Sequence, residues 1–329
     1  MIGLAVVAVV LWGCASLVTS ASFGLLLPWA LPRLGRLEPI GRARALAVGL
    51  VAPAIVGALA LALSFGPCLQ NLLQGLPDAC GEHGGPHIYL CLLRPATPSF
   101  LAWFVAAALL ARTAQVMVTF ARGFRLTRRL ARRLQRLTKI SAHGQRRDGY
   151  VVVPGRASFT AGCPRSQIFI GEDLLRSVDD ERLAVVVAHE RTHQRRYHVL
   201  LKLVARACSA FHLPYVGRRL AGELETTLEE ACDAEAACVV GDPLVVAESL
   251  VAIARFEAGS PVGAFAAFAD QPDALARRVA ALCEPSRRQE RRRAAPLVLL
   301  AMVGLMSLAI VLDQRIHDAA EAFLQLLGA

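Results

Sequence analysis

AHERTHQRRYH, residues Ala188 to His198, carries His189, Glu190 and His193 in the spacing H-E-x-x-H. The run LAVVVA at residues 183–188 leads into it, so a helix enters a core just before the polar residues begin. On a helix, residues four apart share a face, and His189 and His193 can aim imidazole nitrogens at one point. Glu190 sits one residue on, about 100° round the helix, beside that point rather than on it. A carboxylate there can take a proton from a water that a metal ion activates. Burial argues the same way: an imidazole and a carboxylate next to a Val-Val-Val-Ala run need partners, and a bound cation supplies them. The reading is one catalytic Zn2+ held by His189 and His193, with Glu190 as general base. The competing reading is a basic helix that happens to carry histidines; Arg191, Arg195 and Arg196 belong to that face.

Catalytic zinc needs a third protein ligand and an open fourth position. The candidates lie in LETTLEEACDAEAA, residues 224–237. Glu229 and Asp233 are four apart and share a helical face; one can bind the ion while the other orients a ligand histidine through its second ring nitrogen. Glu225 and Glu230 compete with them, and spacing alone does not choose. For oxyanion stabilisation His198, His212, Tyr197 and Tyr215 are available, and His198 reads as a surface helix residue.

The rest of the chain sets this site in a membrane protein. Its 329 residues are 55% hydrophobic and 19% charged, with a mean hydropathy of +0.47, too apolar for an ordinary soluble domain. Four runs, at residues 2–27, 45–65, 100–121 and 294–312, are long enough to cross a hydrocarbon core. The first lacks the basic flank of a signal peptide. The net charge of +10 is concentrated in blocks at residues 122–139 and 287–293. Each block abuts an apolar run and no groove-binding motif accompanies it, which excludes direct nucleic-acid binding and favours membrane lipids. Arg33, Arg36, Arg42 and Arg44 put the first loop inside; the loop at 66–99, with only Arg94, falls outside; the segment 122–293 falls inside. Both termini, including the tail 313–329, are then outside.

In the outer loop, Cys68, Cys80 and Cys91 allow one disulfide and one leftover thiol, and Cys80, His83, His87 and Cys91 have a spacing that could instead bind a metal. Residues 122–149 read as a basic juxtamembrane helix with Leu126, Leu130, Leu134 and Leu137 at helical spacing, lying on headgroups or facing solvent. Residues 150–293 form the domain. Strands are expected at 150–153 and 167–170. A helix capped by Ser177 and Asp180 carries the His pair, and further helices follow at 217–240, 243–256 and 273–282. The expected fold is a multi-pass α-helical membrane protein with an inserted, mostly helical α+β zinc-binding domain.

Four segments in order carry a family resemblance: SQIFIGEDLL at 166–175, DDERLAVVVAHERTHQRRYH at 179–198, AFHLPYV at 210–216 and LEEACDAEAA at 228–237. Together they resemble the membrane-bound, gluzincin-like zinc metallopeptidases of the BlaR/MecR family, metallopeptidase family 56. The resemblance implies His189, His193 and Glu229 as zinc ligands, Glu190 as base and Asp233 as orienter of a ligand. It implies a signalling endopeptidase of the bacterial inner membrane that cleaves a protein substrate, a cytoplasmic DNA-binding repressor or itself. Two departures stand out. His198 replaces an Asp frequent in the family, and no sensor-sized segment follows residue 312, so a β-lactam receptor role is not implied. Two alternatives remain: a signalling scaffold with a structural or degenerate zinc site, its fourth position filled by Cys232, and a quality-control protease for membrane proteins.

Overall fold

A computed structural model describes residues 2–74, 98–140, 146–147, 149–258 and 272–284. Three helices, α1 (Ile2–Leu34), α2 (Pro39–Gln74) and α3 (Phe100–Ile140), contain segments long and apolar enough to cross a membrane. All three outrun the apolar runs that mark them. Helix α2 continues to Gln74, so residues 66–74 are helical rather than part of a loop. Helix α3 carries straight on from its apolar half through the arginine block. The expected fourth apolar segment at 294–312, the tail, and Cys80, His83, His87 and Cys91 lie outside the described residues.

The extension of α3 is held differently from its leucine stripe. Leu126 and Leu130 are exposed, whereas Ala131 is buried with Val153, Ala161 and Phe169, and Leu134 packs against them. A small residue at the contact lets the helix lie close to the sheet. A helix to residue 149 is expected from the sequence; instead it ends at Ile140 and residues 146–147 form a strand.

That sheet has four strands, β1 (Arg146–Arg147), β2 (Tyr150–Val153), β3 (Ser158–Ala161) and β4 (Gln167–Gly171), in the order β1-β2-β4-β3. β2 and β4 pair in parallel; β1 and β3 pair antiparallel at the two edges. Alternation along β4 divides the core. Ile168 and Ile170 face the helix of the His pair, in a cluster with Leu174 and Val186, while Phe169 faces α3. Each of these fully buried side chains contributes roughly 1.5–3 kcal/mol of burial.

After β4 come α4 (Glu172–Ser177), α5 (Asp180–Arg195), α6 (His198–Ser209), α7 (Pro214–Val240), α8 (Pro243–Ala258) and α9 (Pro272–Cys283). The cap of α5 is Asp179, whose side chain accepts from the Arg182 N–H. Ser177 instead ends α4, its hydroxyl donating to the Leu174 carbonyl, so the cap of α5 lies two residues beyond the expected one and is a single bond rather than a capping box. Helix α7 ends on Gly241 at φ 90°, the left-handed closure that glycine permits.

Helices α6 and α7 form a hairpin packed on α1 and α2. Leu220, Leu224 and Leu228 of α7 are buried against Leu27, Leu46 and Leu50. The hairpin closes tightly at Gly217, where a Cβ would stand 2.2 Å from the Ser209 carbonyl oxygen. Gly217→Ala is therefore expected to splay the hairpin at a cost of about 1–3 kcal/mol, read as a lower unfolding midpoint of the detergent-solubilised protein. An unchanged midpoint would contradict this close approach.

Candidate metal centre

Helix α5 presents His189 and His193 on one face, and α7 lies across it with Glu229 and Asp233 one turn apart. His189 Nε2 and His193 Nε2 are 3.2 Å apart. Glu229 reaches both, with Oε2 3.3 Å from His189 Nε2 and Oε1 3.5 Å from His193 Nε2. Ligands of a tetrahedral zinc with bonds of about 2.0–2.1 Å stand roughly 3.3 Å apart, so these donors fit one ion. Glu229 Oε2 is buried with no hydrogen-bond partner, a state that costs free energy until a cation or proton is supplied. Two imidazoles and a carboxylate are also the donor set of a catalytic zinc. The residues therefore suit the metal that the sequence implies.

The surroundings orient each donor. Asp233 Oδ1 lies 2.9 Å from His189 Nδ1, so it accepts a hydrogen bond from Nδ1–H and leaves Nε2 to face the centre. Asp233 is in turn gripped by Arg278 of α9 through two bonds of 2.7 Å. Burial works against charge on His189, yet Asp233 and Glu229 hold its pKa up to about 10. A metal cation would take the place of that proton. Burial would raise the Glu229 pKa, but Lys202, whose Nζ donates to Oε1 at 2.8 Å, and the two histidines hold it well below the carboxylate range. Asp233 is held low by Arg278 and His189 against its own burial.

Glu190 is 6% exposed and lies beside the donor cluster, sharing a cavity lining with His189. Thr160 on edge strand β3 donates its hydroxyl to Oε2 at 2.7 Å and approaches the Glu190 carbonyl at 3.1 Å. Beside it a small cavity is lined by His189, Glu190 and Arg278 and by the apolar Val185, Leu250 and Ile253. A carboxylate anchored at one oxygen, next to an apolar cavity and the donor cluster, is placed to accept a proton.

Sequence reasoning missed three parts of this centre. Glu230, a competitor of Glu229, turns away; it pairs with Arg42 at the start of α2 and with Arg277 of α9. Arg42, read as a loop charge, is thus a strut between α2 and the helix that carries Glu229. Arg278 gave no signal, because nothing near it in sequence resembles a site.

The third is His198, expected at the surface but 3% exposed. Tyr197, at φ 54°, adopts a left-handed conformation between α5 and α6. The turn folds His198 back so that its Nδ1 lies 3.0 Å from His193 Nδ1. With His193 Nε2 facing the centre, His193 Nδ1 carries the proton and donates it to His198. Burial first, then the neighbouring His193 and the charge of Lys202, push the His198 pKa down to about 3, so it stays a neutral acceptor. His198→Ala is expected to weaken zinc binding about 10-fold or more, measured by chelator competition. An unaltered affinity would remove His198 from this role. Of the other oxyanion candidates, His212 contacts the Leu50 carbonyl at 3.2 Å and Tyr215 lies 14 positions before Glu229 on α7, far from the centre.

Cys232 also lies near. His189, His193 and Cys232 can each bring one donor atom within 4.8 Å of the others. The thiol's contact is with His198 Nδ1 at 3.5 Å, on the edge of His193 away from Nε2. Burial, then the charges of Glu229 and Asp233, push its pKa well up, which favours a protonated thiol over a ligand thiolate.

Residues 125–255 match the model of peptidase family M48. The match starts in the extension of α3, takes in the sheet, both metal-site helices and Glu190, and stops within α8, before Arg278. It supports a membrane-associated zinc metallopeptidase and does not specifically support the BlaR/MecR family suggested by the short motifs. No curated protein and no solved structure matches the chain.

Proposed function

We propose that the protein is an integral-membrane, zinc-dependent endopeptidase, with His189, His193 and Glu229 as ligands and Glu190 as general base. The convergence of three donors from α5 and α7 at tetrahedral edge distances, with Glu190 beside them, carries this reading. When bound there, zinc supplies Lewis acidity that polarises a scissile carbonyl and acidifies a water. Glu190 accepts the proton of the attacking water and passes it to the leaving amine. Thr160 holds one Glu190 oxygen and leaves the other for that transfer. Asp233 and His198 keep each imidazole in the tautomer that frees its Nε2. The cavity beside Glu190 accepts an apolar substrate side chain and excludes water from it.

In the same reading, α1, α2 and α3 cross the inner membrane of a bacterium, and the peptidase domain lies in the cytoplasm, where the arginine blocks put it. The enzyme acts in signalling and cuts a cytoplasmic repressor or itself. The second reading is a scaffold with a structural metal; the His189–His193–Cys232 grouping favours it. Comparing protein fragments in cells that carry the native protein or Glu190→Gln tests both. A fragment of a DNA-binding repressor or of this chain, lost in the variant, is the expected result. Identical fragment sets would sink the enzymatic reading, and fragments of membrane proteins alone would replace signalling with quality control.

A further inference from the structure

The hairpin of α6 and α7 reaches far along the apolar helices. Its tip, residues 210–216, meets α1 and α2 inside their apolar runs. The Leu213 N–H donates to Ser20 Oγ at 2.7 Å. His212 Nε2 donates to the Leu50 carbonyl at 3.2 Å. Phe211 packs edge-on against Trp12 with centroids 5.4 Å apart, and Trp12 Nε1 lies 3.4 Å from the Ala54 carbonyl.

Depth follows from helix rise. The apolar run of α2 begins near residue 45, so Leu50 lies about 8 Å and Ala54 about 13 Å inside it at 1.5 Å per residue. On α1, whose run ends near residue 27, Ser20 lies about 10 Å inside. A hydrocarbon core is about 30 Å thick, so the tip reaches well into one leaflet.

The backbone meets the demand that depth imposes. Non-helical chain is tolerated in hydrocarbon only where protein satisfies its polar groups. Here Ser20 takes the Leu213 N–H, the Leu50 carbonyl takes the His212 Nε2–H while His212 Nδ1 is buried without a partner, and Pro214, with no N–H to satisfy, opens α7. The side chains that turn away from α1 and α2 are apolar or amphipathic: Leu213 is 40% and Tyr215 67% exposed. Acyl chains would cover them, and Arg218 and Arg219, exposed one turn further along α7, would reach towards the headgroups.

We infer that the α6–α7 hairpin is a re-entrant element whose tip inserts among the acyl chains of the leaflet on the peptidase side. This rests on the reading of α1 and α2 as membrane spans. It fixes the height of the metal centre: Arg42, just outside the apolar run of α2, holds Glu230, the neighbour of Glu229. The centre therefore lies at headgroup level, and a substrate is cut as it lies on or emerges from the bilayer surface.

The test uses the full chain in phosphatidylcholine vesicles with all nine cysteines replaced by alanine. Single nitroxide-labelled cysteines are placed at Tyr215, at Ile55 on the exposed face of α2, and at Val239 near the end of α7. Power-saturation EPR reads collisions with oxygen, which concentrates in hydrocarbon, and with a water-soluble nickel chelate. The inference expects the Tyr215 and Ile55 labels to see oxygen over nickel by several-fold and the Val239 label to see the reverse. A Tyr215 label that meets nickel like Val239, while Ile55 stays in lipid, overturns the hairpin and leaves the spans standing. A Tyr215 label shielded from both reagents means a protein contact and also overturns it. An Ile55 label open to nickel overturns spans and hairpin together. Tyr215→Trp in the otherwise native chain gives an independent reading: lipids carrying a doxyl group on the acyl chain should quench the added fluorescence, and no quenching would overturn insertion.

Discussion

Glu190→Gln is expected to lower peptide-bond cleavage about 10²–10⁴-fold, the usual contribution of a positioned general base, while zinc content stays unchanged. Glutamine has the same shape and can still accept the Thr160 hydroxyl that now meets Oε2, so the fold around β3 and α5 should hold. What it lacks is a basic oxygen. Glu190 is not among the three donors that converge at 3.2–3.5 Å, so the metal should remain at one per chain. The measurement pairs turnover of a quenched fluorescent peptide pool, with the protein in detergent, against metal content by atomic spectroscopy. Native turnover in the variant would remove Glu190 from the chemistry. Loss of zinc together with activity would make it a ligand or a structural residue instead.

The second large effect is expected at Arg278. Its side chain is 4% exposed and grips the 2%-exposed Asp233 with two bonds of 2.7 Å. Arg278→Met should keep the volume but leave a buried carboxylate facing only His189, at a cost of about 3–5 kcal/mol. The cost should appear as a lower unfolding midpoint. Adding Asp233→Asn removes the orphaned charge, so the double variant should recover part of the midpoint. It should not recover metal affinity, because the carboxylate that orients His189 is then gone. A double variant no more stable than Arg278→Met would show that the pair contributes through packing rather than charge.

Much of the centre was legible because helices repeat. His189 and His193 share a face whatever the fold, and so do Glu229 and Asp233; the fold then needs only to set α5 against α7. The strands at 150–153 and 167–171 were legible from β-branched runs, whereas β3, Ser-Phe-Thr-Ala, has no such run and owes its place to pairing with β4. The leucine stripe of α3 misled: periodicity shows that residues share a face but not which face is covered, and Ala131 proved to be the contact. The short motifs suggested BlaR/MecR, while the longer span from 125 to 255 matches M48. H-E-x-x-H with a downstream acidic helix is chemistry that separate families share.

By itself the sequence determined the three described apolar helices, the His pair, the glutamate beside it and the acidic helix that brings further carboxylates, because each is local in the chain and depends only on hydropathy or helical period. Tertiary structure decided the rest. Glu229 and Glu230 are neighbours with the same chemistry, and only the rotation of α7, set by Leu220, Leu224 and Leu228 against α2, turns one to the histidines and the other to Arg42. His198 became the partner of His193 because the chain reverses at Tyr197. Arg278 joins the centre from 45 residues beyond Asp233. Such contacts are made between elements distant in sequence, and no periodicity within one element records them.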